Sequence, residues 1–236
     1  MKRPDAGQDR IQLNRVAFYG RTLKEYLKIF DLDLSLIQEQ KILDCPAGAS
    51  SFVAEAHKLG FDAVGCDPLF GSDIRALFER GEQDISHVIE RVSSVPHLYK
   101  WDFYPSIEVL ERYRKEALER FSLDYPSGVL ENRYIKGTLP CLPFPDKSFD
   151  LVLSGHFLFT YSDQLDISFH MNSILELVRV SSKEVRIYPL QGPDAKPYGP
   201  MDTLLSFLEK NKIKADLMPV SFEFQRGSNQ ILRLSR

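Results

Sequence analysis

The sequence predicts an α/β fold with a mostly parallel, seven-stranded sheet, an antiparallel last strand and helices on both faces. Three observations lead to this prediction. Residues 41–68 combine a short apolar strand, a Pro/Gly turn, an amphipathic helix and a second strand. Strand-like and helix-like segments alternate again from residue 133 onward. The last two strand-like segments are separated by a short turn, as in an antiparallel hairpin.

The first strand–helix–strand unit predicts the position of a ligand site. Residues 41–44 are the predicted first strand, and the following helix is expected to begin near Ser50 or Ser51. Gly60 stands where the C-terminus of a helix favours a left-handed residue, and the second strand ends at Asp67. Because ligands of such sheets bind beyond the carboxyl ends of the strands, a ligand is expected above these two strand ends.

Two helical regions flank this unit. Residues 16–32 predict a helix that packs across the ligand cleft, within an N-terminal helical cap formed by residues 1–40. Residues 71–128 predict a helical insertion after the second strand, which is expected to cap the substrate. The whole chain, residues 1–236, is predicted to be one domain.

The insertion contains a mixed charge run and a group of aromatic residues. The run RYRKEALER, residues 112–120, is expected to be a solvated helix face carrying ion pairs at i,i+4 spacing. The expected pairs are Glu108 with Arg112, Glu111 with Lys115, and Glu116 with Arg120. Trp101, Phe103 and Tyr104 could line an aromatic acceptor pocket or pack the insertion onto the domain, and packing is favoured.

The second half of the chain supplies the remaining elements. The predicted strands are residues 133–136, 149–154 and 184–190, and the predicted helices are residues 164–180 and 200–211. The terminal hairpin is expected to pair residues 221–225 with residues 230–234.

Composition restricts the possible partners. The formal net charge is −3, so no overall basic bias indicates a nucleic-acid partner. The N-terminus lacks the apolar core of a signal peptide, and no run of about 18 apolar residues could cross a membrane. The three cysteines lack CxxC spacing, which indicates reduced, buried thiols, and the five histidines show no metal-ligand spacing. We therefore expect a soluble, cytoplasmic protein without a metal site, acting on a small molecule and without a nucleic-acid or membrane partner.

Three segments resemble one family. Residues 44–50, DCPAGAS, are similar to the Asp-x-Gly-x-Gly-x-Gly loop of class I S-adenosylmethionine-dependent methyltransferases, and keep one of its glycines, Gly48. Residues 137–154, GTLPCLPFPDKSFDLVLS, resemble the Leu-Pro-Phe-Pro-Asp-x-Ser-Phe-Asp-x-Val stretch of the small-molecule, ubiquinone/menaquinone-type branch. Residues 174–180, ILELVRV, resemble the helix before the family's fifth strand. The resemblance implies a Rossmann-like fold, S-adenosylmethionine as cofactor, and methyl transfer to a small molecule.

The resemblance also implies a cofactor site. Asp67 is expected to accept hydrogen bonds from the ribose hydroxyls, and Gly48 permits close approach of the backbone to the cofactor. Asp44 would face the cofactor's ammonium or orient the loop, and Tyr19 and Arg21 are candidate partners for its carboxylate. The full predicted cofactor-binding set is Tyr19, Arg21, Asp44, Pro46, Ala47, Gly48, Ser50, Asp67, Pro68, Thr138, Leu139, Ser154 and Gly155.

Catalysis of this kind needs few protein groups. Methyl transfer is an in-line displacement at an activated carbon, so the protein aligns the reactants, excludes water and sometimes removes a proton. His156, which follows the fourth predicted strand, is the predicted base, with Tyr161 or His170 as alternatives. Thr138 replaces the acid that contacts adenine in the family, so its hydroxyl or the Leu139 amide would serve instead.

Two other classes of protein stay open. Pro46, Ser50 and Thr138 replace usual family residues, which favours a binding or regulatory protein that has kept the fold and lost catalysis. Cofactor binding without turnover would indicate this class. A nicotinamide-dependent oxidoreductase is the third hypothesis, and the missing glycines at positions 46 and 51 count against it. A saturable signal with NADH would indicate that class.

Overall fold

The computed structural model describes residues 10–236 and contains one large sheet. Its strands are β1 (Lys41–Asp44), β2 (Asp62–Asp67), β3 (Tyr134–Lys136), β4 (Phe149–Gly155), β5 (Ser181–Tyr188), β6 (Lys214–Pro219) and β7 (Gln230–Ser235). The strand order is β3-β2-β1-β4-β5-β7-β6, and β7 runs antiparallel to both of its neighbours. The other pairs are parallel. This sheet confirms the predicted Rossmann-like α/β fold class.

Helices cover both faces of the sheet. They are α1 (Leu23–Ile29), α2 (Leu34–Ile37), α3 (Phe52–Lys58), α4 (Ile74–Ser94), α5 (Ile107–Leu130), α6 (Ile167–Val180) and α7 (Met201–Lys210). Successive strand residues point to opposite faces, so Ile42 joins one hydrophobic cluster and Leu43 the other. The long helices α4 and α5 lie between β2 and β3, which confirms the helical insertion after the second strand.

The strand order places a crevice beside β1. This strand pairs with β2 on one side and with β4 on the other, so the chain changes its winding direction there. The connections that follow β1 and β4 therefore separate at the carboxyl edge of the sheet. In open α/β sheets this is the point at which ligands bind.

The N-terminal cap differs from its prediction. Residues 16–22 have no regular secondary structure, so the predicted helix over residues 16–32 is wrong in its first half. Thr22 sets the start of α1 by forming a capping box with Glu25. Of the predicted cap, residues 1–40, the first nine residues lie outside the described part of the chain.

The sixth strand also lies earlier than predicted. It is β6, whereas residues 221–225 form an irregular loop between β6 and β7. The strand β6 alternates exposed and half-buried residues and is paired on one side only, so its hydrophobic signal is weak. The loop holds two phenylalanines, Phe222 and Phe224, that pack against the insertion, and Phe222 also lies 6.1 Å from Tyr188 at the end of β5.

The aromatic residues of the insertion pack onto that loop. Trp101 lies 5.4 Å from Phe224 between ring centroids, Phe103 lies 5.1 Å from Phe222, and Tyr104 lies 4.9 Å from Phe224. Most of these contacts are edge-to-face, a favourable arrangement for aromatic rings. The prediction that these residues pack the insertion onto the domain is confirmed.

Two of the three predicted ion pairs on α5 form. They are Glu111 with Lys115 at 2.6 Å and Glu116 with Arg120 at 3.4 Å. The pair of Glu108 with Arg112 is not found among the described residues, because Arg112 points along the helix to Glu116, 3.9 Å away. The prediction of a solvated face is wrong at one position, Arg114, which is fully buried.

Two expectations from composition concern thiols and membranes. Cys45 and Cys66 are free and buried, as predicted, whereas Cys141 is exposed because it lies on the turn that follows β3. Among the helices of residues 10–236, none has both the length and the apolar character needed to cross a bilayer.

Candidate functional site

A cavity of about 420 Å³ lies above the carboxyl ends of β1, β2 and β4. Its floor is formed by the loops after these strands, one wall by α4, and its roof by the N-terminal segment, residues 11–21. The volume is typical of sites for small molecules. Eleven predicted site residues line this cavity: Tyr19, Arg21, Pro46, Ala47, Gly48, Asp67, Pro68, Thr138, Leu139, Gly155 and His156. The structure thus brings together side chains that lie far apart in the sequence.

The loop after β1 brings its backbone to the cavity. Gly48 has a φ of 55°, a left-handed conformation that glycine adopts without strain. A Cβ atom added at Gly48 would lie 3.1 Å from the carbonyl oxygen of Tyr19, so the roof packs directly on the loop. The Gly48 amide donates a hydrogen bond to Oδ2 of Asp67 at 2.9 Å.

Asp67 ends β2 with its carboxyl group at the cavity. Its Oδ2 accepts from the Gly48 amide and its Oδ1 accepts from the Leu69 amide, both at 2.9 Å. Burial raises the pKa of Asp67 to about 6, although both amides favour the ionised form. The group is therefore ionised at neutral pH. Since a carboxylate has about four acceptor positions, two remain for a ligand.

Asp44 lies behind the cavity wall. Its side chain is fully buried, and the Tyr26 hydroxyl lies 3.0 Å from Oδ1 and 2.9 Å from Oδ2. Tyr26 lines the cavity in its place. Burial raises the pKa of Asp44 to about 8, more than the Tyr26 hydrogen bond lowers it. Tyr26, which the sequence placed only on a helix face, thus stands between Asp44 and the cavity, so of the two expected roles of Asp44 its burial favours orienting its surroundings over direct ligand contact.

Two more predicted residues are buried away from the cavity. The hydroxyl of Ser50 donates to the Arg21 carbonyl at 2.9 Å, and the Ser51 amide donates to the same oxygen at 3.1 Å. Ser50 therefore holds the roof and does not reach a ligand itself. Ser154 is buried inside β4, and its hydroxyl has no hydrogen-bond partner within residues 10–236.

The roof presents Tyr19 and Arg21 to the cavity. Gly20, between them, has no room for a side chain, because an added Cβ would fall on the carbonyl group of Ala49. The guanidinium of Arg21 lies 5.6 Å from the centroid of the Tyr19 ring. No ion pair of Arg21 is found within the part of the chain that the structure describes, so this cation can bind an anionic ligand group.

A buried ion pair holds the roof from the insertion. Arg114 of α5 donates to the carbonyl of Gly20 at 2.6 Å, to the carboxylate of Glu25, and to the hydroxyl of Tyr104 at 2.7 Å. The Tyr104 hydroxyl also bonds to Glu25. Arg114 stands in a charge run that resembles an exposed helix face, so no local signal in the sequence marks it. Its guanidinium lies 5.2 Å from the centroid of the Tyr19 ring.

His156 follows β4 with a left-handed backbone, at a φ of 52°. Its amide donates to the Tyr188 carbonyl at 2.6 Å, which ties the strained residue to the end of β5. The Nδ1 atom is buried and has no partner within residues 10–236. Burial and the charges of Arg21 and Arg114 hold the pKa of His156 well below its usual range. The imidazole is therefore neutral at pH 7.

The two alternative bases are committed to other bonds. Tyr161 lines the cavity, and its hydroxyl accepts a hydrogen bond from the Ala17 amide at 2.9 Å. Burial raises the pKa of Tyr161 to about 12, so its phenolate is disfavoured. Both ring nitrogens of His170 contact backbone carbonyls, those of Asp166 and Leu158, and this ring lies outside the cavity.

Within residues 10–236, no group of three or more histidine, cysteine, aspartate or glutamate side chains is arranged to hold a metal ion. Other cavity residues that the sequence did not indicate as site residues lie in the N-terminal segment, on α1 and α4, and in the aromatic loops. They include Arg80, Val88, Val92, Tyr99 and Phe224.

Comparisons with known proteins give one relative and several structural neighbours. No family model matches the chain. It is 28% identical over 227 residues to the uncharacterized protein MJ0045 of Methanocaldococcus jannaschii, and the match covers 96% of this chain and 99% of that protein.

Three of the structural neighbours are described as S-adenosylmethionine-dependent methyltransferases. A TehB-like methyltransferase from Corynebacterium glutamicum has 16% identity and a TM-score of 0.43, covering 84% of this chain and 80% of its own. A methyltransferase from Aquifex aeolicus has 14% identity and a TM-score of 0.42, covering 90% of this chain and 94% of its own. A possible histamine N-methyltransferase from Thermotoga maritima has 12% identity and a TM-score of 0.43, covering 89% of this chain and 88% of its own.

Proposed function

We propose that this protein is a cytoplasmic S-adenosylmethionine-dependent methyltransferase that acts on a small-molecule acceptor. The observation that carries the proposal is Asp67. Its carboxylate stands at the end of β2, is held by two backbone amides, and keeps two acceptor positions for a pair of hydroxyl groups. A ribose diol matches this arrangement.

The other cavity residues fit the remaining parts of the cofactor. Gly48 brings the backbone of the loop after β1 to the cavity, and Arg21, for which no ion pair is found within residues 10–236, offers its guanidinium to a carboxylate. Thr138 and Leu139 line the side next to Asp67, where an adenine would find a hydroxyl, an amide and an apolar surface. When bound, S-adenosylmethionine supplies an activated methyl group on a sulfonium.

The protein's part in the reaction is to orient the reactants and to take up a proton. His156 lines the cavity, and it would take up the proton that an acceptor hydroxyl or amine loses when its oxygen or nitrogen bonds to the methyl carbon and the carbon–sulfur bond breaks. Tyr26, Phe157 and the roof exclude water from this end of the cavity. The resemblance of residues 137–154 to the ubiquinone/menaquinone-type branch supports a small-molecule acceptor.

The test is isothermal titration with S-adenosylhomocysteine. Binding with a Kd of about micromolar is expected, and Asp67→Ala should weaken it at least about tenfold, because two charge-assisted hydrogen bonds are lost. Asp62→Ala is the matched control, since Asp62 begins the same strand and is exposed. Unchanged affinity in Asp67→Ala would show that the site assignment is wrong.

A second candidate is a methyltransferase-fold binding or regulatory protein without catalysis. Pro46, Ser50 and Thr138 replace the usual residues, and this observation favours it. Retained binding of S-adenosylhomocysteine with no methyl transfer to a broad acceptor panel would support this candidate. Turnover that His156→Gln lowers about 100-fold, at unchanged cofactor affinity, would support the enzyme.

A further inference from the structure

A second cation lines the cavity on the side opposite the glycine loop. Arg80 lies on the same face of α4 as Val88 and Val92, and all three line the cavity. The Nε atom of Arg80 donates to Oδ2 of Asp84 at 2.6 Å. Within residues 10–236 neither Nη atom of Arg80 is found to donate to a protein acceptor, so two donors remain for a ligand.

The carboxylate of Asp84 forms ion pairs with two arginines, Arg15 and Arg80. It also accepts from Nη2 of Arg15 at 2.7 Å and from the Phe18 amide at 2.8 Å. Burial raises the pKa of Asp84, but the hydrogen bonds from Arg15 and Arg80 outweigh this and leave the pKa below its usual range. The carboxylate stays ionised, and the group of two guanidiniums and one carboxylate keeps one positive charge.

The roof brings this group to the end of the cavity that holds His156. The amide of Ala17 donates to Tyr161, and the next amide, that of Phe18, donates to Asp84. Tyr161 belongs to the loop that begins at His156. Two consecutive amides thus connect α4 to the loop after β4. Arg80 and His156 line the same cavity, and the Nδ1 atom of His156 is itself buried without a partner among residues 10–236.

The charges in the cavity do not balance with the cofactor alone. Arg21 contributes one positive charge, Asp67 contributes one negative charge, and the arginine pair around Asp84 contributes one positive charge. S-adenosylmethionine adds one more positive charge, since its amino-acid end is a zwitterion and its sulfur is a sulfonium. A second ligand that is an anion would offset part of this positive charge.

The rest of this space is apolar. It is lined by Ile11, Leu13, Val88, Val92, Tyr99 and Phe224. A ligand here therefore buries an apolar body against these side chains. One arginine fork, that of Arg80, lines this space, and a single carboxylate can accept two parallel N–H bonds from such a fork.

We propose that the methyl acceptor is an apolar molecule that carries one carboxylate, and that Arg80 binds this carboxylate. The inference rests on the proposed function, because it assigns the acceptor end of the same cavity. Arg80 would fix the acceptor's orientation, and His156 would stand over its reacting group.

The experiment measures binding of model carboxylates to protein saturated with S-adenosylhomocysteine. The probes are cinnamate and octanoate, each compared with its primary amide, which has the same shape and no charge. Both carboxylates should bind at least about tenfold more tightly than their amides. The preference should shrink at high salt, because Arg80 is partly exposed.

Three variants separate ligand binding from support of the roof. Arg80→Met should weaken carboxylate binding about tenfold and leave S-adenosylhomocysteine affinity unchanged, and Arg80→Lys should restore part of the carboxylate binding. Arg75→Met is the matched control, since Arg75 is an exposed arginine of the same helix. It should change neither affinity.

The outcomes distinguish this inference from the proposed function. Equal affinity for carboxylates and amides, on protein that binds S-adenosylhomocysteine, would overturn the assignment of the acceptor only. If Arg80→Met lowered the affinities for the carboxylates and for S-adenosylhomocysteine equally, Arg80 would support the roof instead of binding the acceptor. That result would also overturn the assignment of the acceptor. Protein that binds neither S-adenosylhomocysteine nor any carboxylate would overturn both proposals.

Discussion

Asp44 and Asp67 are neighbouring buried carboxyl groups, and no ion pair of either is found in residues 10–236. They differ in their hydrogen bonds. Asp67 accepts from two backbone amides, whereas Asp44 meets only the Tyr26 hydroxyl. Burial therefore raises the pKa of Asp44 further, to about 8, than that of Asp67, to about 6. At neutral pH one group is mainly neutral and the other mainly ionised.

The ionisation of Asp67 should make ligand binding depend on pH. A protonated Asp67 loses acceptor capacity, so the affinity for S-adenosylhomocysteine should be constant above pH 7 and fall about tenfold by pH 5. Titration calorimetry at several pH values measures this. Asp67→Asn should bind weakly at every pH, and a wild-type profile without a decrease near pH 6 would contradict the assignment.

The protonation of Asp44 should appear in stability. Its folded pKa, about 8, lies above the unfolded value of 3.8, so the native state binds more protons between these limits. The free energy of unfolding should therefore fall as pH rises from about 4 to 8. Asp44→Asn keeps a neutral group beside Tyr26 and should remove most of the decrease above pH 6, by at least about 1 kcal/mol. Urea unfolding at pH 6 and pH 8 tests this. An equal decrease in the free energy of unfolding between these pH values in the wild-type protein and in Asp44→Asn would contradict the prediction.

At the scale of elements, α5 is both an exposed helix and an anchor. Most of its charged residues form exposed i,i+4 pairs, which contribute little to stability. Arg114 is different, because it is buried with Glu25 and reaches the Gly20 carbonyl of the roof. The insertion is thereby joined to the segment that covers the cavity.

Removing one partner of the buried pair of Arg114 and Glu25 should lower the stability of the protein strongly. Arg114→Met leaves Glu25 buried without its cation, so the free energy of unfolding should fall by about 3–5 kcal/mol. Arg112→Met, on the exposed side of the same helix, should change it by less than about 0.5 kcal/mol. Chemical denaturation measures both. Similar small losses in the two variants would show that the pair is not energetically important.

At the scale of the whole molecule, the cavity is closed by distant parts of the chain. The roof bonds to α4 through Phe18, to α5 through Gly20, and to the loop after β4 through Ala17. It rests on the loop after β1 with backbone against backbone, because Gly20 leaves no room for a side chain. The site therefore exists only when all of these elements are packed together.

Gly20→Ala should test this closure. Its new methyl group would collide with the Ala49 carbonyl, and neither backbone can move without breaking the bonds to Ser50 and Ser51. We expect at least a tenfold loss of S-adenosylhomocysteine affinity, about 1.4 kcal/mol, together with a lower melting temperature. Gly199→Ala is the control, since nothing lies within 4 Å of its added Cβ. Equal behaviour of the two variants would mean that the roof does not hold the ligand.

Local patterns determined much of the fold and part of the site. The strand, turn and helix signals of residues 41–68 placed Gly48 and Asp67 correctly at the carboxyl ends of β1 and β2, because these signals depend on neighbouring residues. The sixth strand was misplaced, because an edge strand with mixed polarity carries a weak periodic signal. Phe222 and Phe224 gave the stronger signal but pack against the insertion.

By itself, the sequence determined the fold class, the ends of the first two strands and eleven of the residues that line the cavity. Only the tertiary structure decided that Arg114 is buried, that Tyr26 stands between Asp44 and the cavity, and that Arg80 faces the same space as His156. The physical reason is sequence distance. A strand or cap is decided by contacts within a few residues, whereas these three side chains take their environment from elements far away along the chain.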